Sequence, residues 1–474
     1  MRSEAGAEPV GSLAIVLHSH MPYVEGFGTY PFGEEWLFDA VVRSYLPLAD
    51  VVRDVTLSVT PVLADQLEAP GVAERLRAFA AEHRLGACEA DAGELGEPHA
   101  AACRAEAGRY RRGLERLGEL GDDLLAIFRR PFEDGRVELM TSAASHAVLP
   151  LIATTGGRRL QIDAGLRSHR RRFGEPGGFW LPECAYEPGL ERLLAERGLG
   201  CFCVDQSRHE ADLDCLAPVA TAAGPVALPI DWQAISWLWS ADGYPAHPDH
   251  ADLHRQSLRG ARPWSIGGAA YDPAAAEARA RAQAAELVDA VAVRLERFRE
   301  RRGRAGLVTF AVDTELLGHW WWEGPVWLDE VLRLAPARGV ELLTVAEALR
   351  RHEAEERELV RSSWGEGKDL RTWDSPEVAD LAWAARRLEL RLLRALGAGG
   401  AGSDAARRAA RELLAAQASD WAFLDRRAQA GDYAFERVTS HARALLEAIH
   451  SGDPPDPRMR NLAPDLDLAP LLEP

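Results

Sequence analysis

Cysteine is scarce in this 474-residue chain, and other features that mark particular protein classes are missing. The six cysteines show neither the Cys-x-x-Cys spacing of zinc and redox motifs nor a disulfide framework, which favours a reducing cytoplasm. No apolar run reaches a membrane-spanning length, and the acidic first residues do not resemble a signal peptide. We therefore expect a cytoplasmic protein with no membrane partner.

Positive charge is also in deficit. The chain has 55 Lys and Arg against 73 Asp and Glu, a net charge of -18, and no basic run offsets this balance. Such a surface repels phosphate backbones, so we expect no nucleic-acid partner. A chain of this length predicts two or three compact units with a sizeable core, as in a large enzyme.

Short apolar and β-branched runs alternate with helical stretches along most of the chain. This alternation favours a parallel sheet and, at this length, a barrel. Polar and aromatic residues follow several of the runs, and in parallel barrels such tails converge on one mouth. The runs are Leu13–Leu17, Val55–Val59, Val137–Met140, Phe202–Val204, Leu307–Val312 and Val340–Leu343.

Other regions have a helical pattern. Residues 84–131 predict a helical insertion between barrel segments 1–83 and 132–351, and residues 274–303 predict one long amphipathic helix. No strand is predicted from about 352 onward, so residues 352–474 form a predicted helical C-terminal domain. Its predicted parts are helices at 377–396, 404–417 and 435–450, a flexible loop at 397–403 and an extended Pro-rich tail at 453–474.

Two acids 130 positions apart lie among aromatic residues. Glu183 stands in Trp180-Leu-Pro-Glu-Cys-Ala-Tyr186, and Asp313 stands between Phe310 and Trp322. An acid held against apolar rings can have its pKa raised enough to donate a proton, while a second acid stays ionised. Aromatic faces also pack on sugar rings, so the pair indicates sugar chemistry. Glu183 is also consistent with a buried acid paired with an arginine, and either Asp313 or Glu315 could orient the other or bind a sugar hydroxyl.

Two histidines, His18 and His20, follow the first predicted strand. Their i, i+2 spacing lets both point to one side of the sheet edge. This leaves open a metal pair, a pair of hydrogen-bonding site residues, or a structural role. A metal would need further ligands, and later strand tails supply His146 and His319. The Trp, Pro and Tyr residues around them suit a sugar better than a cation.

These segments together resemble glycoside hydrolase family 57, and within it the 1,4-α-glucan branching enzymes. The resemblance implies an α/β fold with an incomplete (β/α)7 barrel, a helical insertion and an all-helical C-terminal domain. It also implies a retaining mechanism without metal or cofactor. The matching segments are His18–Tyr23, Gly33–Phe38, Thr60–Gln66, Glu138–His146, Trp180–Tyr186, Asp313–Gly324, Leu343–Glu347, Ser362–Gly367 and Ala416–Trp421.

By this resemblance Glu183 is the nucleophile and Asp313 the general acid/base. The expected ligand is an α-glucan such as glycogen, amylose or a maltooligosaccharide, bound by a monomer or small homo-oligomer. The predicted substrate-binding residues are His18, His20, Trp36, His146, Trp180, Asp231, Arg262, Gly268, His319, Trp320, Trp321, Trp364, Asp420 and Trp421.

One segment departs from the family pattern. Branching enzymes usually have an Arg-Asp-Pro turn before Val-Trp-Ser, whereas this chain has Pro229-Ile-Asp-Trp-Gln233 before Trp239-Ser240. In the family a loop near this segment shields the covalent intermediate from water. The change therefore affects whether that intermediate passes its sugar to a glucan or to water. The alternatives are an α-amylase or 4-α-glucanotransferase of the same family, a metal-dependent deacetylase or hydrolase using His18 and His20, and a non-catalytic glucan-binding protein.

Overall fold

The computed structural model describes residues 9–29, 32–397, 403–451 and 461–473. Within these residues ten strands form one curled, mostly parallel sheet with helices packed against it. The strands are β1 (Gly11–Ser19), β2 (Val55–Val59), β3 (Val137–Ser142), β4 (Phe179–Trp180), β5 (Cys201–Val204), β6 (Val219–Ala220), β7 (Val226–Pro229), β8 (Gly306–Asp313), β9 (Val340–Leu342) and β10 (Glu355–Glu356).

The sheet order is β10-β6-β7-β5-β4-β3-β2-β1-β8, and β9 pairs with the start of β1. All pairs are parallel except β6 with β7. Every residue of β1 is buried, as expected for a strand covered on both faces. Because the strands are parallel, their carboxyl ends meet at one edge, where His18 on β1 lies beside Asp313 on β8.

Helices cover the sheet and form the C-terminal region. They are α1 (Glu34–Ala40), α2 (Leu46–Val51), α3 (Pro61–Leu67), α4 (Val72–Phe79), α5 (Gly86–Glu94), α6 (His99–Leu120), α7 (Ala126–Glu133), α8 (Thr155–Phe173), α9 (Leu190–Glu196), α10 (Trp232–Trp239), α11 (Pro273–Arg302), α12 (Gly324–Ala337), α13 (Val345–Arg351), α14 (Ala379–Ala395), α15 (Asp404–Ala416), α16 (Ser419–Arg426), α17 (Tyr433–Ser451) and α18 (Ala469–Leu472). In the described part of the chain, no helix is long and apolar enough to cross a membrane.

The predicted α/β fold is confirmed, with three local corrections. The strands β4, β6 and β7 were not predicted, because β4 and β6 have only two residues each and β7 ends at Pro229, a residue that argues against a strand. A strand does occur after residue 352, because β10 pairs with β6. The predicted extended tail contains the short helix α18, which packs on α8. Parts of the predicted loop and tail, residues 398–402, 452–460 and 474, lie outside the described residues.

Candidate active site

Glu183 follows β4, the short strand that ends at Trp180. Its backbone has φ 62° and ψ 20°, a left-handed conformation that costs a non-glycine residue about 1–3 kcal/mol. The amide of Trp364 donates to the carbonyl oxygen of Glu183 at 3.0 Å, across 181 positions of chain. Surrounding contacts therefore hold Glu183 in a conformation that its own residue type disfavours, as is common at functional sites.

The carboxyl group of Glu183 is enclosed by donors from distant parts of the chain. The indole N–H of Trp364 donates to Oε2 at 2.7 Å, and the Ser419 hydroxyl donates to the same carboxyl group. Burial raises the pKa of Glu183 above its ordinary value, and these two hydrogen bonds, which stabilise the ionised form, offset part of that rise. Such donors suit a carboxylate that attacks as an anion.

Asp313 is the last residue of β8, and its environment differs from that of Glu183. Burial raises the pKa of Asp313 well above its ordinary value, and the nearby charges of Glu315 and Glu183 raise it further. This mutual repulsion means that the two catalytic candidates share one site. An acid with a high pKa keeps its proton near neutral pH, so Asp313 suits the role of proton donor.

Glu315 is a third acid in this site. It accepts hydrogen bonds from the Tyr45 hydroxyl and, at 3.0 Å, from the backbone N–H of His20. Burial raises the pKa of Glu315 to about 7, although both hydrogen bonds lower it. Tyr45 ends a π-helical turn, Val41–Tyr45, between α1 and α2. Turns of this type are frequent at functional sites. Glu315 therefore ties the His20 segment to the end of β8.

Three predicted histidines stack with Trp180 to form one wall of the site. The rings of His18 and Trp180 are 4.4 Å apart, and those of His20 and His146 are 4.0 Å apart. Burial lowers the pKa of both His18 and His146 well below its ordinary value, so both are neutral. Burial also lowers the pKa of His20, but Asp420, with Oδ1 2.9 Å from Nε2, acts together with Glu315 and Glu183 to raise the pKa above its ordinary value. His20 is thus the ring of this wall whose protonated form is favoured by neighbouring acids.

The contacts of these histidines bear on the metal alternative. His18 Nδ1 lies 3.0 Å from the Ser58 hydroxyl, and its Nε2 lies 2.9 Å from Nε2 of His146. His20 is engaged likewise, by Thr60 and Asp420. Among the residues that the structure describes, no group of three or more His, Cys, Asp or Glu side chains is arranged to hold a metal ion. These ring nitrogens serve the internal hydrogen-bond network.

The three consecutive tryptophans, Trp320–Trp322, divide between surface and core. Trp320 is 49% exposed and lies 6.5 Å from the ring of Trp239, which is also exposed. Trp321 is buried in the core, so the structure does not support its predicted contact with a glucan. His319 is half-buried beside Trp320, and burial with the nearby guanidinium of Arg43 lowers its pKa to about 3.

The predicted substrate contact of Asp231 is not supported either. Its side chain is buried and forms an ion pair with Arg294, at 2.7 Å between Oδ2 and Nε. The other carboxylate oxygen caps α10 by accepting from the backbone N–H of Gln233 at 3.1 Å. Both oxygens are therefore used to attach α10 to α11.

Arg262 and Gly268 lie on the segment between α10 and α11. The backbone N–H of Arg262 donates to Glu106 on α6 at 2.8 Å, and its Nε donates to the Leu253 carbonyl oxygen at 3.2 Å. Gly268 lies in an exposed turn with φ 85°, which explains the glycine. Arg262 thus fastens this segment to the predicted helical insertion, and the structure gives neither residue a contact with the two carboxyl groups.

Trp36 and Trp421 belong to an aromatic cluster around Tyr433. The ring of Trp36 lies 5.5 Å from Tyr433 and that of Trp421 lies 6.3 Å from it. Trp36 is half-buried, whereas Trp421 is buried and donates to the carbonyl oxygen of Ala415 at 2.7 Å. Trp421 is therefore core, and only Trp36 of this pair has an accessible face for a ligand.

Several residues of the site were not predicted from the sequence. Ser419 lies in a segment that was recognised, and its position beside Asp420 was the only available signal. Tyr45 and Ser58 have no local signature, since they are ordinary residues of a helix and a strand, whereas Thr60 opens the recognised segment Thr60–Gln66 but was not itself predicted as a site residue.

Comparison with known families and structures adds to this geometry. A family model described as "Glycosyl hydrolase family 57" matches residues 113–361, and one described as "1,4-alpha-glucan branching enzyme, C-terminal" matches residues 380–463.

Individual relatives cover most of the chain. It is 34% identical to a "Probable 1,4-alpha-glucan branching enzyme" of Mycobacterium tuberculosis, over 93% of this chain and 92% of the relative. It is 32% identical to the 1,4-alpha-glucan branching enzyme of Thermococcus kodakarensis, over 91% of this chain and 72% of that one. The crystal structure of a GH57-type branching enzyme from Pyrococcus horikoshii superposes with a TM-score of 0.90 at 29% identity, covering 98% of this chain and 97% of that one.

Proposed function

The chain belongs to glycosyl hydrolase family 57, and we propose that it is a 1,4-α-glucan branching enzyme that cleaves α-1,4 links and forms α-1,6 branches. The single observation that carries the assignment of roles is the contrast between its two carboxyl groups. Burial raises the pKa of both, but Glu183 receives two hydrogen bonds that favour its anion, whereas the like charges of Glu315 and Glu183 raise the pKa of Asp313 further and favour its protonated form. A nucleophile and a proton donor in one site are the requirement for retaining glycoside chemistry.

In the first half-reaction Asp313 protonates the glycosidic oxygen while Glu183 attacks the anomeric carbon. The α-1,4 bond breaks, and a covalent glucosyl-enzyme forms through an oxocarbenium-like transition state. The non-reducing fragment stays on Glu183, and the rest of the chain leaves with a new 4-hydroxyl group. Retaining enzymes hold the two carboxyl groups about 5–5.5 Å apart.

In the second half-reaction Asp313, now ionised, takes the proton of a glucan 6-hydroxyl as that oxygen attacks the anomeric carbon. Glu183 leaves as a carboxylate, and two inversions give net retention at the new α-1,6 link. His20 lies near Asp420, Glu315 and Glu183, and the charges of these acids favour its protonated form.

The remaining predicted contacts complete the proposal. Trp364 and His20, both half-buried, supply accessible faces for the donor sugar, and the buried Trp180, His18 and His146 form the wall behind them. Trp36 and Trp320 offer half-buried and exposed faces farther along the glucan. The six cysteines are all buried and free, which fits a reducing cytoplasm. We propose a monomer or a small homo-oligomer that acts on glycogen or a related α-glucan.

The test is linkage analysis of the product made from unbranched amylose. Branching predicts new α-1,6 links by proton NMR and short linear chains after treatment with isoamylase, with few new reducing ends. New reducing ends without α-1,6 links would identify an amylase, and redistributed α-1,4 chains alone would identify a 4-α-glucanotransferase. The Glu183→Gln variant, folded but inactive, is the control that assigns the activity to this site.

A further inference from the structure

A loop of the C-terminal region, Ser362–Asp369, carries Trp364 to the nucleophile; we call it the Trp364 loop. It contacts Glu183 itself twice, through the backbone N–H and the indole N–H of Trp364, and Ser362 exchanges two backbone hydrogen bonds with Tyr186, at 2.9 and 3.0 Å. It also closes on itself, because the Ser363 N–H donates to the Lys368 carbonyl oxygen at 3.3 Å and the Lys368 N–H donates to the Gly365 carbonyl oxygen at 3.0 Å. Lys368 therefore contributes both its backbone N–H and its carbonyl oxygen to the hydrogen bonds that shape the loop.

Lys368 has an unfavourable backbone conformation for its residue type. Its φ is 57°, in the left-handed region where glycine is the favoured residue, and the preceding Gly367 has φ 68°. A lysine is retained in this region only when surrounding contacts offset the strain. The side chain of Lys368 supplies such contacts.

The Lys368 ammonium group is held between two barrel elements. Nζ lies 2.8 Å from Oδ2 of Asp205, which follows β5 and is fully buried, and it lies over the ring of Trp232, 2.8 Å from its centroid. The other oxygen of Asp205 accepts from the backbone N–H and hydroxyl of Ser207, which fixes the carboxylate. An ion pair with a buried carboxylate and a facing indole is shielded from water and has a defined geometry.

We propose that Lys368 is a positioning residue: by gripping Asp205 and Trp232 it holds the Trp364 loop so that the Trp364 indole stays on the Glu183 carboxylate. This inference rests on the proposed function for the role of Glu183. It also gives a role to Trp232, which lies in the segment that departs from the family pattern. The side chains of Trp232, Lys368 and Trp364 thus connect that segment to the nucleophile.

The contacts of Lys368 act, through Trp364, on the carboxyl group of Glu183, which has several charged and polar neighbours. The groups that face Glu183 are His20 from the end of β1, His146 from the segment after β3, Asp313 from β8, Ser419 and Asp420 from α16, and Trp364. Of these, only Trp364 is carried by the Trp364 loop. Loosening the loop removes a donor to the anion and leaves the other neighbours in place, so the pKa of Glu183 rises.

The experiment uses full-length protein labelled with 15N at tryptophan and follows the Trp364 indole resonance, assigned with Trp364→Phe, as a function of pH. This resonance reports ionisation of Glu183 and does not depend on activity. Lys368→Met removes the charge and keeps the aliphatic stem, whereas Lys368→Gly also relieves the backbone strain. Asp205→Asn keeps the bonds to Ser207 and removes the charge that faces Lys368.

In all three variants we expect the indole titration midpoint, and the acidic limb of kcat/KM on amylose, to move to higher pH by about half a unit or more, with kcat about tenfold lower. The double variant Lys368→Met/Asp205→Asn should shift no further than the larger single variant. Arg357→Met is the matched control, because Arg357 forms a 2.8 Å ion pair with Glu210 just before the loop. It should leave the midpoint unchanged.

Midpoints of Lys368→Met and Lys368→Gly equal to that of the wild type would overturn the proposal, even if thermal stability fell, since a purely structural ion pair predicts that result. An equal shift in Arg357→Met would overturn it as well. A wild-type protein that does not convert amylose would refute the proposed function, and the indole titration would still decide whether Lys368 positions Trp364.

Discussion

Replacing Trp364 with phenylalanine removes one hydrogen bond from the nucleophile and keeps an aromatic ring in its place. The indole N–H donates to Glu183 Oε2 at 2.7 Å, and the ring lies 5.2 Å from Trp180 in an edge-to-face contact that phenylalanine can retain. A hydrogen bond to a charged acceptor contributes about 1.5–3 kcal/mol, which corresponds to about 1–2 pKa units. The pKa of Glu183 should rise by this amount.

The sign of the effect follows from the required ionisation state. Glu183 must be ionised to attack, so a higher pKa moves the acidic limb of kcat/KM upward by about 1–2 pH units. At pH values below the limb, activity falls by about 10–100-fold, because it follows the ionised fraction. Well above the limb, activity falls much less. Initial rates on amylose between pH 4 and pH 8 measure the shift.

The matched control is Trp327→Phe. Trp327 is fully buried in the barrel, and its indole N–H has no hydrogen-bond partner within the described residues. This variant should lose stability through the smaller ring and leave the acidic limb where it is. An acidic limb of Trp364→Phe that coincides with the wild-type limb would refute the hydrogen bond as a determinant of the nucleophile's ionisation.

Three further predictions concern the surroundings of the site. The pKa of Glu315 is raised to about 7 from an ordinary value of 4.5, so its contribution to stability is present below pH 4.5 and is lost as pH rises through 7. In urea titrations the wild type should therefore lose about 3 kcal/mol of unfolding free energy over that range relative to Glu315→Gln. A difference between the two proteins that stays constant with pH would contradict this. Arg294→Met leaves the Asp231 carboxylate buried without its partner, so the free energy of unfolding measured by chemical denaturation should fall by about 3–5 kcal/mol. The KM for amylose should stay unchanged, and a raised KM would restore a substrate role for Asp231. Dialysis against EDTA should not change the rate on amylose, since the ring nitrogens of His18 are engaged by protein groups, and activity restored only by zinc would favour the metal-dependent alternative.

The sequence predicts the parts of the fold whose signal is local and long enough. The central strands β1 and β8 are apolar over most of their length, so their position and their polar tails are recognisable. The strand β4 has two residues and was missed, although it precedes the nucleophile. Its existence depends on pairing with β3 and β5, which a local pattern does not encode.

The same distinction holds for the site. Glu183 and Asp313 were found because each lies in a segment rich in aromatic residues. Asp231 also lies beside a tryptophan, but its partner is Arg294, 63 positions away, and the sequence does not distinguish an acid that faces a sugar from one that faces a buried arginine. Lys368 gave no signal, since its left-handed backbone and its grip on Asp205 exist only in the folded chain.

The most direct test of the central claim, that Glu183 attacks the glucan with Asp313 as the acid, is to trap the covalent intermediate. A fluorinated α-glucosyl substrate with a good leaving group, incubated with the wild type and digested with pepsin, should give one modified peptide in the mass spectrum. The label should lie on Glu183, and it should be absent in Glu183→Gln. A label on another residue, or a product of inverted anomeric configuration with no adduct, would contradict the account.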